Sequence, residues 1–337
     1  MDVMPPETLN LETFAAEALR ERIHALNREV DGVATGEDIE FIHRMRVASR
    51  RLRTSLAVFE PVLPKKRFKE WNRGVRRITK ALGAARDLDV QLEFVTEFLG
   101  GVSDERLRKG IERLALRLKQ ARGATQKKVL KALARMEKSD LCLEMEEGLH
   151  DLAIQARLAS GHVHDLRENA NAVIAEALAE FLSFEIQLPD PLAVESHHEM
   201  RIAAKHLRYC MEIFEPVYGA AISEFLKSAK EMQRLLGDLH DCDVWVAHLP
   251  AFLDEERARV VAFYGSAKGM KRIAEGLHYL QENRRASREQ LYQETLAYWR
   301  HLQSGNVWGR LRQELDQKPP AVATVVETPA SAVPEGT

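Results

Sequence analysis

The stretch HRMRVASRRLRTSLAVFEPV, residues 43–62, aligns without a gap to HEMRIAAKHLRYCMEIFEPV, residues 198–217, with ten of twenty positions identical. In the first copy Met45, Ala48, Leu52, Ser55, Leu56 and Phe59 fall on one face of a helix. His43, Arg46, Arg50 and Arg53, spaced i, i+3, i+7 and i+10, fall on the opposite face, and the second copy repeats them as His198, Arg201, Lys205 and Arg208. Each copy therefore reads as an amphipathic helix whose polar face is a stripe of cations, about 15 Å long at ~1.5 Å per residue.

Outward from these blocks the correspondence continues. LGAARDLDV from Leu82 matches LGDLHDCDV from Leu236, and between the blocks Trp71, Val75, Ile78 and Leu82 occupy the same slots as Phe225, Ala229, Met232 and Leu236. Two blocks kept in order point to duplication. The three- and four-residue apolar period persists from Leu11 to about Gln313 without strand-like alternation. The fold class is thus all-α, with two tandem repeats resembling four-helix bundles over residues 7–160 and 161–315. Breaks are expected at Asp31-Gly32, Glu60-Pro61, Gly100-Gly101, Gly161, Pro189-Asp190-Pro191, Glu215-Pro216 and Pro250, with helices of ordinary length between them. The composition after Gln317, KPPAVATVVETPASAVPEGT, predicts a disordered tail over 316–337.

Charge is unevenly spread. The chain carries a formal net charge of −2, yet residues 43–86 hold fourteen Lys or Arg against Glu60 and Glu70, which makes that segment +12 and the remainder −14. The second helix of the segment contributes Arg73, Arg76, Arg77 and Lys80, and its counterpart contributes Lys227, Lys230 and Arg234. Matched positions exchange Arg for Lys, as suits attraction to phosphates, where a point charge serves nearly as well as a planar fork. Like-charge neighbours such as Arg46 with Arg50 cost about 0.2–0.5 kcal/mol each, so something anionic should compensate. That could be a ligand, or the chain's own acids such as Glu144, Glu146 and Glu147. The nearby aromatics Phe59, Trp71, Phe214 and Phe225 sit at apolar-face positions, which leaves no platform for stacked bases and favours a ligand of phosphate alone over nucleic acid.

The motif H-x-M-R-[VI]-A-x-[RK]-x-L-R followed by FEP, with L-G-x-x-x-D-x-D-V after the second helix, resembles the CHAD domain family over about 300 residues in both halves. The resemblance implies paired four-helix bundles around a pseudo-twofold axis, and a basic central channel that binds inorganic polyphosphate. By position it implies channel-lining roles for His43, Arg46, Arg50, Arg53, Arg73, Arg76 and Lys80, and for His198, Arg201, Lys205, Arg208, Lys227, Lys230 and Arg234. The second half departs from the pattern, with six Lys or Arg balanced by six acids between His198 and His240. Many relatives also carry a triphosphate-processing CYTH domain with a Glu-x-Glu-x-Lys strand. This sequence contains no such strand and is expected to lack that machinery.

The remaining chemistry is sparse. His43 and His198 read as phosphate contacts or as helix-start histidines bonded to a carboxylate. Asp87, Asp89, Asp241 and Asp243 read as caps in turns after Gly83 and Gly237, with pairing to arginine as the alternative. His240-Asp241-Cys242-Asp243 concentrates metal donors, but its counterpart Arg86-Asp87-Leu88-Asp89 keeps only the acids, so neither a metal nor a cofactor is expected. No catalytic residue stands out, since no Ser or Cys lies in a recognisable nucleophile turn. The reading is a polyphosphate-binding module that could recruit proteins to granules. The alternatives are an enzyme acting on polyphosphate or phosphorylated small molecules, and a scaffold binding an acidic protein. The opening MDVMPPETLN lacks the charge and apolar run of an export signal, no apolar stretch is long enough to span a membrane, and Cys142, Cys210 and Cys242 are odd in number. A soluble cytoplasmic protein with reduced thiols is expected. If the apolar face is the core face, Leu52→Ala should lower the unfolding free energy by about 2–5 kcal/mol in denaturant titration.

Overall fold

The computed structural model describes residues 10–36, 38–158 and 165–317. The Gly161 break, the boundary between the two expected repeats and nearly all of the expected tail lie outside them. The described residues form helices and connecting turns, with no strand among them. In chain order the helices are α1 (Leu11–Asn27), α2 (Val30–Thr35), α3 (Ile39–Val58), α4 (Lys65–Gly100), α5 (Glu105–Lys138) and α6 (Leu141–Leu158). They continue as α7 (Leu166–Leu182), α8 (Val194–Tyr218), α9 (Ser223–Tyr264), α10 (Met270–Ser304) and α11 (Val307–Asp316). Aspartate or asparagine opens several of them: the side chains of Asn10, Asp38, Asp104 and Asp165 each accept a hydrogen bond from a backbone N–H of the first turn.

Packing runs in the same order through both halves. In the first, α1 packs on α3, α3 on α4, and α4 on α5. In the second, α7 packs on α8, α8 on α9, and α9 on α10. The halves meet where α3 touches α8 and where α5 lies along α10. The apolar faces read from sequence are the buried ones: Met45, Leu52, Leu56, Phe59, Trp71, Val75, Ile78 and Leu82 join Met200, Leu207, Phe214, Phe225, Met232 and Leu236 in one core that crosses both halves. A smaller separate core, including Val95, Leu114, Trp245, Phe252 and Leu277, fills the outer ends of the four long helices.

Helix lengths depart from expectation. α4, α5, α9 and α10 have 36, 34, 42 and 35 residues, well beyond the ordinary range. Gly32, Pro216 and Pro250 break nothing: Gly32 lies inside α2, Pro216 in the last turn of α8 and Pro250 inside α9. Proline at 250 deprives the Val246 carbonyl of its usual i+4 donor. The buried side chain of Gln281, on α10, fills the gap by donating to that carbonyl at 2.9 Å. A tertiary hydrogen bond thus replaces a helical one, and α9 continues.

The α5–α10 contact is set by two glycines. A Cβ added at Gly276 would lie 2.0 Å from the Leu107 carbonyl oxygen, and one at Gly110 would lie 2.2 Å from that of Ile273. Nearby, the fully buried carboxylate of Glu256 accepts from Arg113 at 3.0 Å and Arg117 at 2.9 Å on α5, and from Arg259 at 3.2 Å. A buried charge of this kind is tolerable only when paired. Gly276→Ala should force the two backbones apart and lower stability by about 1–3 kcal/mol or more in chemical denaturation, whereas Gly237→Ala, with open space around it, should not.

Candidate functional site

The basic stripe of α3 and that of α8 lie side by side. Burial of Met45, Leu52 and Leu56 on one helix, and of Met200, Ala204 and Leu207 on the other, leaves the opposite faces to the cations. Because α3 and α8 touch, Arg46 and Arg50 share one electrostatic neighbourhood with Arg201, Lys205 and Arg208. Lys205 responds most. Burial, followed by the charges of Arg50, Arg201, Arg46 and Arg208, pushes its ammonium down to about 7. Burial is also the leading cause that lowers the pKa values of Arg50 and Arg201 from the ordinary guanidinium range.

Several of these groups have buried polar atoms without a partner: Nδ1 of His43, Nη2 of Arg50, Nε of Arg53 and Nε of Arg201. Unmatched buried donors are costly and rare in folded proteins. Beside these groups lies the ring of Tyr209, with the Arg208 guanidinium 4.5 Å and that of Arg50 5.9 Å from its centre. Of the acids Glu144, Glu146 and Glu147, weighed as internal compensation, Glu146 pairs instead with His24 of α1. Carboxylates at the stripes come from elsewhere: Glu212 bridges the helices by accepting from Arg51 of α3 at 3.1 Å and Arg208 of α8 at 2.6 Å, and Asp87 of α4 accepts from Arg46.

At the start of each stripe the histidines find equivalent neighbours. His43 lies by Arg86, and burial followed by that charge lowers its pKa. His198 lies by His240, the residue that aligns with Arg86. Their Nδ1 atoms are 3.0 Å apart, a hydrogen bond in which one ring donates and the other accepts. Burial, then Arg201, His198 and Lys205, pushes His240 down to about 4, so it stays neutral near pH 7. The metal reading of residues 240–243 scatters accordingly: His240 turns to His198, Asp243 pairs with Arg288, and Cys242 is buried.

The four aspartates are not caps, because no turn exists there; Asp87 and Asp89 lie within α4, and Asp241 and Asp243 within α9. Three of them bond arginines. Asp87 accepts from Arg46 at 3.1 Å, buried Asp89 from Arg122 at 2.6 Å, and Asp243 from Arg288. Asp241 lies in the field of Arg201.

The second-helix cations divide. Arg73, Arg76 and Lys80 on α4, and Lys227 and Lys230 on α9, are exposed and enter no ion pair among the described residues. Arg234 differs, because Glu231 at 2.6 Å and Asp238 at 2.7 Å hold its guanidinium on α9 itself. Sequence reading overlooked Glu212, Tyr209, His240 and Arg86 as members of the site. The first could have been seen as the i+4 partner of Arg208, and the last two as aligned residues one block downstream of the stripes.

Lys205 predicts a pH effect of definite sign. Between about 7 and its ordinary 10.5 the unfolded chain keeps the proton that the folded chain has released, so this group makes the fold more stable as pH rises through that window. Below about 7 the full cost of the charge is present. Lys205→Met should therefore raise the melting temperature of the free protein most below about pH 7, with the gain fading towards 10.5, as followed by differential scanning fluorimetry across pH.

The model of the CHAD domain matches residues 17–250 of this chain. Among solved structures, the crystal structure of the CHAD domain from the plant Ricinus communis is 24% identical with a TM-score of 0.61, covering 81% of this chain and 93% of that one. PptA from Streptomyces chartreusis is 16% identical with a TM-score of 0.54, covering 86% of this chain and 100% of that one. No curated protein matches the sequence.

Proposed function

Since the chain belongs to the CHAD domain family, we propose that it binds inorganic polyphosphate in the cleft between α3 and α8, as a binding module and not as an enzyme. The observation that carries this reading is the crowding of Arg46, Arg50, Arg201 and Arg208 around Lys205, with buried guanidinium nitrogens of Arg50 and Arg201 left without a partner. A string of phosphates offers closely spaced acceptor oxygens along one line, which suits donors arrayed along two adjacent helices. Arg73, Arg76, Lys80, Lys227 and Lys230 extend the positive surface beyond the cleft, whereas the internally paired Arg234 contributes little.

On this reading the chain comprises two tandem bundles about a pseudo-twofold axis, in which α1, α3, α4 and α5 correspond to α7, α8, α9 and α10, and the cleft is the basic channel on that axis. The matching packing order and the alignment of His43 with His198 support it. A cytoplasmic protein residing at polyphosphate granules follows from such a ligand. Among the described residues no helix is long and apolar enough to cross a membrane. Sustained release of orthophosphate from polyphosphate by the purified protein would instead favour the enzyme reading.

Binding should weaken as salt rises, because each phosphate contact releases a counterion, and long chains should bind far more tightly than short ones. In Arg50→Ala/Arg53→Ala, two contacts vanish while the core face of α3 is untouched. The slope of log K against log salt should fall by about 1–2 in a titration with long polyphosphate, with circular dichroism unchanged. A folded double variant with wild-type affinity and slope would refute the proposal.

A further inference from the structure

A second basic cluster lies on the flank of α4 away from α3. Arg77 and Lys80 of α4, with Lys128, Lys131 and Arg135 of α5, rim an open pocket of about 400 Å³. No carboxylate lines it, and none of the five cations enters an ion pair among the described residues. The floor is different in kind. Small residues, Gly74, Ala81, Ala84 and Ala132, make it shallow and flat, and Ile78 and Met136 make it apolar. At Gly74 a Cβ would come within 2.7 Å of the Leu141 side chain, which closes one end and would have to shift.

Inorganic phosphate gains nothing from an apolar floor, and an acyl chain needs a deeper tunnel than an open groove. A planar ring carrying phosphates satisfies both parts: the ring lies on the alanines and the phosphates reach the rim. The volume falls in the usual range for small-molecule sites, and arginine at the rim can stack on a ring as well as bond a phosphate. The second half has no equivalent. The position matching Arg77 is Glu231, which together with Asp238 holds Arg234, the match of Lys80.

We propose that the groove between α4 and α5 is a second ligand site for a nucleoside oligophosphate, distinct from the α3–α8 cleft although Lys80 borders both the groove and the positive surface beyond that cleft. Its base rests on the alanine floor, and its phosphates are held by Lys80, Lys128, Lys131 and the two arginines. The site lies in the first half only.

The test is calorimetric titration of the full chain with ATP and, separately, with inorganic tripolyphosphate, which has the phosphates but no ring. ATP should bind at one site at least about ten-fold more tightly than tripolyphosphate. The double variant Lys128→Glu/Lys131→Glu, altered at exposed positions, should lose ATP binding while retaining long polyphosphate. Ala132→Trp, which fills the floor, should weaken ATP and leave tripolyphosphate unchanged. Absence of ATP binding, equal binding of the two ligands, or ATP binding that survives the lysine reversal would overturn the proposal. So would ATP binding lost in Arg50→Ala/Arg53→Ala, which would place it in the cleft. Long polyphosphate binding by the lysine variant reports on the cleft alone, so the two readings fail separately.

Discussion

Three phenylalanines hold the molecule's two halves in register. Phe14 of α1 stacks on Phe214 of α8 with ring centres 5.9 Å apart, and Phe59, at the end of α3, meets both edge-on at 6.1 and 6.0 Å. Phe59 and Phe214 occupy the same position in the repeated block, so each half presents its own copy to the other. Because both rings are buried in one core, α3 and α8 must lie side by side. Their polar faces then have nowhere to go but next to each other.

That constraint turns two ordinary amphipathic helices into a costly surface. Arg46, Arg50, Arg201 and Lys205 sit close together and partly desolvated, and the acid shared between the helices, Glu212, is engaged by Arg51 and Arg208. Asp87 reaches Arg46 and Asp241 lies near Arg201, but among the described residues no carboxylate pairs with Arg50 or Lys205, unlike the double pairing of Arg234 and of Arg259. Burial first, and then the repulsion of its cationic neighbours, disfavours the charged form of Lys205. An incoming polyanion relieves the same repulsion, which ties the instability of the free site to the affinity of the occupied one.

The long helices serve a different end. α4, α5, α9 and α10 run on past the main core and make a second one, closed by the Gly110–Gly276 approach and by Glu256 among three arginines. Continuity of α9 through Pro250 depends on Gln281 reaching across from α10. Each of these devices joins one half to the other or one long helix to its partner, so the extension rests on tertiary contacts and not on local sequence alone.

The heptad-like spacing of Met45, Leu52, Leu56 and Phe59 against His43, Arg46, Arg50 and Arg53 by itself determined that α3 is a helix, which face is buried and which carries charge. The alignment of residues 43–62 with 198–217 extended the same conclusion to α8. Periodicity is a local property, and the sequence displays it directly. What lay beyond it depended on partners distant in the chain. Asp89 looked like a cap because Gly83 suggested a turn, yet Arg122 pairs with it from α5; Pro250 looked like a break because its missing donor is supplied by Gln281. Arg234 read as a twin of Lys80, and only side-chain placement assigned it to Glu231 and Asp238. The groove built with Lys128, Lys131 and Arg135 could not be read at all, because a pocket belongs to the space between two helices, and that space exists only once they have packed.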